Sequence, residues 1–192
     1  MGDNLIEINF ASNNPNKVTE VTEILCAFNI TVIPVNLKTR EIQADRLEDI
    51  ATDSAKATAE FSGKTVVVED AGLFVDKLNG FPGPYSSFVN RTIGCKGMLK
   101  LMKGTRRRSA VFRSAVAYCE PHSEPELFMG EVKGMISLSE RSGRKFGFDP
   151  IFIPGRVFSK TFSQMDISEK NKISHRFKAF KKLAIWLAAR NE

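Results

Sequence analysis

The chain of 192 residues carries 28 Lys and Arg against 22 Asp and Glu, a net charge of +6, so its partners are expected to be anionic. Its 42% hydrophobic content is enough for one sizeable core or two closely joined lobes, and its 26% charged content does not indicate disorder. No apolar run approaches the roughly 18 residues of a membrane span, and no membrane association is expected.

The amino terminus, MGDNLIEINF, lacks the basic region and long apolar stretch of a signal peptide. It also has Ile6 where an N-myristoylation signal needs Ser or Thr. Cys26, Cys95 and Cys119 are widely spaced, with no CxxC or Cys/His cluster. That usage argues against zinc and against a disulfide framework, and points to reduced thiols in a cytoplasmic protein.

Residues 5–10, LIEINF, put Ile6, Ile8 and Phe10 on one face at period two, which predicts a strand. Turn formers follow in ASNNPNK. Asn14 is placed to cap a helix that Pro15 opens, and Val18, Val21, Leu25 and Phe28 continue at helical spacing. A strand is predicted over 31–35. A helical stripe through Leu47, Ile50, Ser54, Ala57 and Phe61 then stops at Gly63. Residues 65–69 form a core strand that is expected to end at Glu69 and Asp70, ahead of a stiff Gly80–Pro84 turn. Residues 91–103 predict one helix with Ile93, Leu99 and Met102 inward, followed by a solvated loop at Arg106–Arg108. SAVFRSAVAYC and ELFMGEVKGMISL predict two long strands joined by a turn. The carboxyl end predicts a helix with Phe177, Phe180, Ala184 and Leu187 on its core face and Trp186 as a further core residue. With no repeat or linker, 1–192 reads as a single α/β domain with a mixed sheet and an antiparallel extension.

Three segments hold more polar punctuation than folding requires. The turn from Ser12 to Lys17 offers free amides and a helix start that suit an anion. Lys17 sits where the helix dipole disfavours a cation, so it implies a compensating anion, unless it is simply an exposed lysine. Glu69-Asp70 is the second segment. Neighbouring strand residues face opposite ways, so Asp70 with Glu41, from KTREIQAD, could hold a hard cation such as Mg²⁺ together with phosphate oxygens. The third runs from SGRKFGFDPIF to SEKNKISHRFKAF. Phe146 and Phe148 form an aromatic platform with Asp149 at its edge. Lys170, Lys172, His175 and Arg176 supply donors near a helix start that Ser174 can cap. Aromatic faces with donors suit a nucleobase and its phosphates; a strand and a helix with a basic outer face fit the same residues.

Together FASNNPNKVTEV, VEDAGL with GFPGPYS, FGFDPIF and EKNKISHR resemble, in order and over almost the whole chain, the inosine triphosphate pyrophosphatase family. The resemblance implies an elongated α/β fold with two lobes around a central nucleotide cleft, assembled as a homodimer. It implies Mg²⁺-dependent hydrolysis, with Mn²⁺ as a substitute, of non-canonical purine nucleoside triphosphates (ITP, dITP, XTP) to a monophosphate and pyrophosphate. By position, Ser12, Asn14 and Lys17 resemble the triphosphate-binding turn, and Glu41 and Asp70 the metal and catalytic carboxylates. Phe146, Phe148 and Asp149 resemble the base-binding loop. Lys170, Ser174, His175 and Arg176 resemble the segment that reads base and phosphate. The chain departs from its relatives at Ser54, where many carry a phosphate-contacting lysine; Lys56, two residues on, falls on a different helical face. It also has Phe148 in place of Trp or Tyr, and Asn13 in place of Gly.

The chemistry agrees with that resemblance. A triphosphate with about four negative charges can be neutralised by a metal, Lys17, Lys170 and the 12–16 amides. Asp70 can position or deprotonate water with no covalent intermediate. Donors at His175 or Arg176 would donate to the oxygen at position six of hypoxanthine or xanthine and disfavour the amino group of adenine, on the order of 10⁴-fold. Two other readings remain open. A basic nucleic-acid-binding module would explain the charge but not Glu41 and Asp70, and no stable nucleic acid complex is expected. The same fold acting on a modified pyrimidine or a canonical nucleotide is the second.

Overall fold

The computed structural model describes residues 6–37, 41–155 and 159–190. The amino terminus through Leu5, and residues 38–40 of the stretch that carries Glu41, lie outside the described residues.

Strand β1 (Ile6–Ala11) alternates as predicted and buries Ile8 and Phe10. Helix α1 (Pro15–Cys26) starts at the expected cap, because the Asn14 side chain accepts hydrogen bonds from the amides of Asn16 and Lys17. The chain returns as β2 (Ile30–Val35), parallel to β1 from Ile6↔Ile30 to Ala11↔Val35. Helix α2 (Leu47–Ser62) carries Glu48 and Asp49 in its first turn, which suits the helix dipole, and Gly63 ends it at φ 62°. The stripe expected to reach Phe61 stops short. The buried face runs from Leu47 to Ala59, and Phe61, in the final turn, is 83% exposed.

Strand β3 (Val66–Val75) corrects a larger expectation. It passes straight through Glu69 and Asp70 instead of ending there, because Leu73 and Val75 return the chain to a core. The short β4 (Pro82–Gly83) pairs antiparallel with it, Leu73 opposite Gly83. A Cβ at Gly72 would lie 2.3 Å from the Gly83 oxygen, so glycine alone permits that approach.

The single helix expected over 91–103 is two, α3 (Ser86–Thr92) and α4 (Gly94–Leu101). Gly94 at φ 60° breaks the helical path. Met102 is buried and Leu99 partly so, whereas Ile93 at the break is exposed. Strands β5 (Ser109–Cys119) and β6 (Glu126–Ile136) are the two long strands predicted. Before them, Arg108 is not a solvated loop residue. Its guanidinium donates to the backbone oxygens of Ile136, Met102 and Ser137 at 2.7, 2.9 and 2.7 Å, while Arg106 and Arg107 are exposed. Strand β7 (Phe152–Pro154) pairs antiparallel with β6. Helices α5 (Ile167–Asn171), started by an Asp166/Glu169 capping box, and α6 (His175–Arg190) complete the chain.

The strand order is β2-β1-β3-β5-β6-β7 with β4 on β3, a mixed sheet. By contacts the chain falls into two compact units, the first Met1–Asp70, Ser114–Gly130 and Arg176–Glu192, the second Ala71–Arg113 and Glu131–His175. The first has a core of Ile8, Phe10, Val21, Leu25, Val67 and Phe180, with Trp186 packed on it between Tyr118 and Phe128. Phe180, Ala184 and Leu187 of α6 are buried there as predicted. The second is built on Leu73, Met98, Phe112, Phe148, Phe152 and Phe162. Each fully buried side chain of this kind contributes about 1.5–3 kcal/mol. Among the described residues no helix is long and apolar enough to cross a membrane.

Candidate functional site

In the first unit the turn after β1 is held by its own side chains. Ser12 Oγ accepts from the Asn14 amide at 3.3 Å, and Asn14 Oδ1 then caps α1. Lys17, in the first turn, reaches β3, where its Nζ lies 2.9 Å from both the main-chain oxygen and Oε2 of Glu69. Its side chain is 19% exposed. The cation at a helix start therefore has an internal anion as partner, which the sequence did not disclose.

Glu69 is itself a hub. Besides Lys17, its carboxylate accepts from Ser114 Oγ of β5 at 2.8 Å and pairs with Arg176 Nη2 of α6 at 3.1 Å. Arg176 Nη1 is bound by Glu20 of α1. Arg176 is 2% exposed. Burial by itself lowers its pKa, but Glu69 and Glu20 together more than offset that and hold the guanidinium above the ordinary arginine range. Two carboxylates, a guanidinium and an ammonium thus balance in charge inside one unit. Asp70 follows Glu69 on the strand and is half-buried, its side chain directed to the opposite face by the pleat.

Glu41 is exposed in the segment before α2. Among the described residues no group of three or more His, Cys, Asp and Glu gathers to hold a metal. A hard cation that takes one or two carboxylates plus substrate oxygens needs no such group, and the chemistry of Glu41 and Asp70 fits one. Ser54 is buried, and Lys56 is engaged at 2.5 Å by Glu124.

In the second unit Lys170 of α5 is the centre. Its Nζ lies 2.5 Å from Asp149 Oδ2, both side chains nearly inaccessible, and sits 5.0 Å and 5.5 Å from the ring centroids of Phe146 and Phe162. Phe146 is half-buried, whereas Phe148 belongs to the hydrophobic core at 2% exposure. Of the two-ring platform read from the sequence, the Phe148 ring thus packs inward. Ser174 is fully buried just ahead of α6, and His175 at its first position stacks on Phe112, ring centroids 4.7 Å apart and planes 9° from parallel.

Sequence reasoning missed Glu20, Ser114 and Phe112. A signal existed for Glu20, which is in helical register with Ile24 and so falls on the buried stripe of α1. Ser114 and Phe112 alternate within β5 like any strand residues, and nothing in their spacing marks them.

The Ham1 family model matches residues 8–186. The chain is 47% identical over 181 residues to a dITP/XTP pyrophosphatase of Methanopyrus kandleri, covering 94% of this chain and 96% of that protein. It is 45% identical over 186 residues to one of Pyrobaculum aerophilum, covering 97% and 98%. The structure of a Ham1 protein of Staphylococcus aureus superposes with a TM-score of 0.82 at 30% identity, over 96% of this chain and 99% of that one. One from Coxiella burnetii gives 0.83 at 28% identity, again over 96% and 99%.

Proposed function

This chain belongs to the Ham1 family, and on that premise we propose that it hydrolyses non-canonical purine nucleoside triphosphates, ITP, dITP and XTP, to the monophosphate and pyrophosphate. The observation that carries this reading is the 47% and 45% identity to dITP/XTP pyrophosphatases over 94% and 97% of this chain.

Ser12, Asn14 and the amides of the turn bind the phosphate tail, with the Lys17 ammonium poised beside them. Glu41 and Asp70 would hold Mg²⁺, or Mn²⁺ in its place, which would supply neutralisation of the phosphate charge. Asp70 accepts the proton of the attacking water. The water oxygen forms its bond to the α-phosphorus as the bond from that phosphorus to the bridging oxygen breaks, and pyrophosphate leaves with the electron pair. Arg176 serves by fixing Glu69 and Glu20, and Glu69 in turn orients Lys17.

Phe146 offers its ring to the base, while Lys170 and Asp149 set the polar edge beside it. Ser174 and His175 read the base, with His175 donating to the oxygen at position six. A homodimer in the cytoplasm completes the proposal.

The test is a panel of nucleoside triphosphates incubated with Mg²⁺, scored for pyrophosphate against orthophosphate. Inosine and xanthosine triphosphates should release pyrophosphate far faster than ATP. Chelator should abolish this, and Asp70→Asn should lower turnover by about 10² or more with the fold retained. Orthophosphate as product, or full turnover in excess EDTA, would defeat the reading.

A further inference from the structure

We infer that Phe112 is a positioning residue for base selection, because its ring sets the plane in which the His175 imidazole can donate. The inference rests on the proposed role of His175 as the donor to the base.

The two rings, both in the second unit, are nearly parallel at 9° with centroids 4.7 Å apart. Phe112 is in turn held by neighbours. Phe152 meets it edge-on at 4.7 Å and 70°, and Phe162 lies against it at 6.1 Å and 31°. Phe152 and Phe162 also pack on each other at 5.2 Å, and all three rings are buried. The plane of Phe112 is therefore fixed by the core, and the imidazole inherits it.

An imidazole makes hydrogen bonds only in its own plane, and such bonds weaken steeply as the angle at hydrogen falls toward 120°. A donor that separates a ring oxygen from an amino group must consequently be held in orientation as well as in position. His175 is the first residue of α6, so its backbone is fixed by the helix, and rotation about the Cβ–Cγ bond is the freedom that Phe112 removes. The other donor considered for this task, Arg176, has its guanidinium engaged by Glu20 and Glu69. In the proposed function the discrimination falls to His175, whose ring lies on Phe112.

Phe112→Leu keeps an apolar side chain but deletes the flat face. The chain has two histidines, and the other, His122, is exposed in the β5–β6 connection, so the two imidazole signals are readily told apart by NMR. In the parent protein the ring protons of His175 should lie upfield from the Phe112 ring current, and this offset should vanish in Phe112→Leu. The ratio of kcat/KM for inosine triphosphate over ATP should fall about tenfold, the equivalent of one well-directed hydrogen bond. A merely structural role would lower both values together and leave the ratio unchanged. An unchanged ratio in a folded variant overturns the inference. If the variant does not fold, the parent protein decides: adding inosine monophosphate should move the His175 signals and not those of His122, and unmoved His175 signals overturn it. A parent protein that fails to hydrolyse inosine triphosphate would refute the activity itself, whereas preserved activity with an unchanged ratio refutes the inference alone.

Discussion

Lys17 Nζ lies 2.9 Å from Glu69 Oε2, joining the first turn of α1 to the middle of β3. The lysine needs an anion because it opposes the helix dipole, and the buried carboxylate needs a cation because burial disfavours its charge. Each residue explains the other, and the turn that opens α1 is tied to the strand that carries Asp70.

Lys17→Met keeps the aliphatic stem and removes the ammonium. Glu69 retains Arg176 and Ser114, so the loss of stability in urea denaturation should stay near 1–3 kcal/mol. KM for inosine triphosphate should rise, with inosine monophosphate bound nearly as before. Equal losses of affinity for both nucleotides would remove Lys17 from the phosphate tail.

Arg176→Met leaves Glu20 and Glu69 buried without their shared guanidinium, and should cost about 3–5 kcal/mol of unfolding free energy. Adding Glu20→Gln to that variant should recover part of the loss, giving a measurable coupling in a double-mutant cycle. A variant as stable as the parent would mean that the ion cluster contributes nothing to the fold.

Burial raises the pKa of Cys95 from 9.0 to about 12, and burial followed by the Glu120 hydrogen bond raises that of Tyr118. Acids held neutral in the fold bind more protons than in the unfolded chain once the pH exceeds their ordinary values. Stability should therefore decline as pH rises from about 9 toward 12. Exposed Cys26 should react with iodoacetamide well before buried Cys95 and Cys119, and simultaneous labelling of all three in the native protein would contradict the burial.

Lys56 is held by Glu124 on an exposed surface, and such pairs contribute little to stability. Lys56→Ala should leave kcat/KM for inosine triphosphate within about twofold and stability within about 0.5 kcal/mol. A large rise in KM would show that Lys56 contacts the nucleotide.

Much of the fold was legible because local chemistry decided it. Asn14 and Pro15 started α1, Gly63 ended α2, and the alternation in 109–119 and 126–136 gave β5 and β6. What was not legible depended on partners distant in sequence. The run through Glu69 and Asp70 resembled a strand end because two charges seldom enter a core, and it takes Arg176, Lys17 and Ser114 to make the burial of Glu69 tolerable. Arg108 resembled its two solvated neighbours because the carbonyls that claim it come from Met102, Ile136 and Ser137. The site residues were named by their motifs, but spacing along the chain could not show that Phe148 faces inward, that Arg176 is an internal counter-ion, or that His175 rests on Phe112.

The most direct test of the account is to run hydrolysis of inosine triphosphate in ¹⁸O-labelled water and to locate the label by mass spectrometry. Attack at the α-phosphorus puts one labelled oxygen into inosine monophosphate and none into pyrophosphate. Label in the pyrophosphate, or in released orthophosphate, would contradict the chemistry assigned to Asp70 and the phosphate-binding turn.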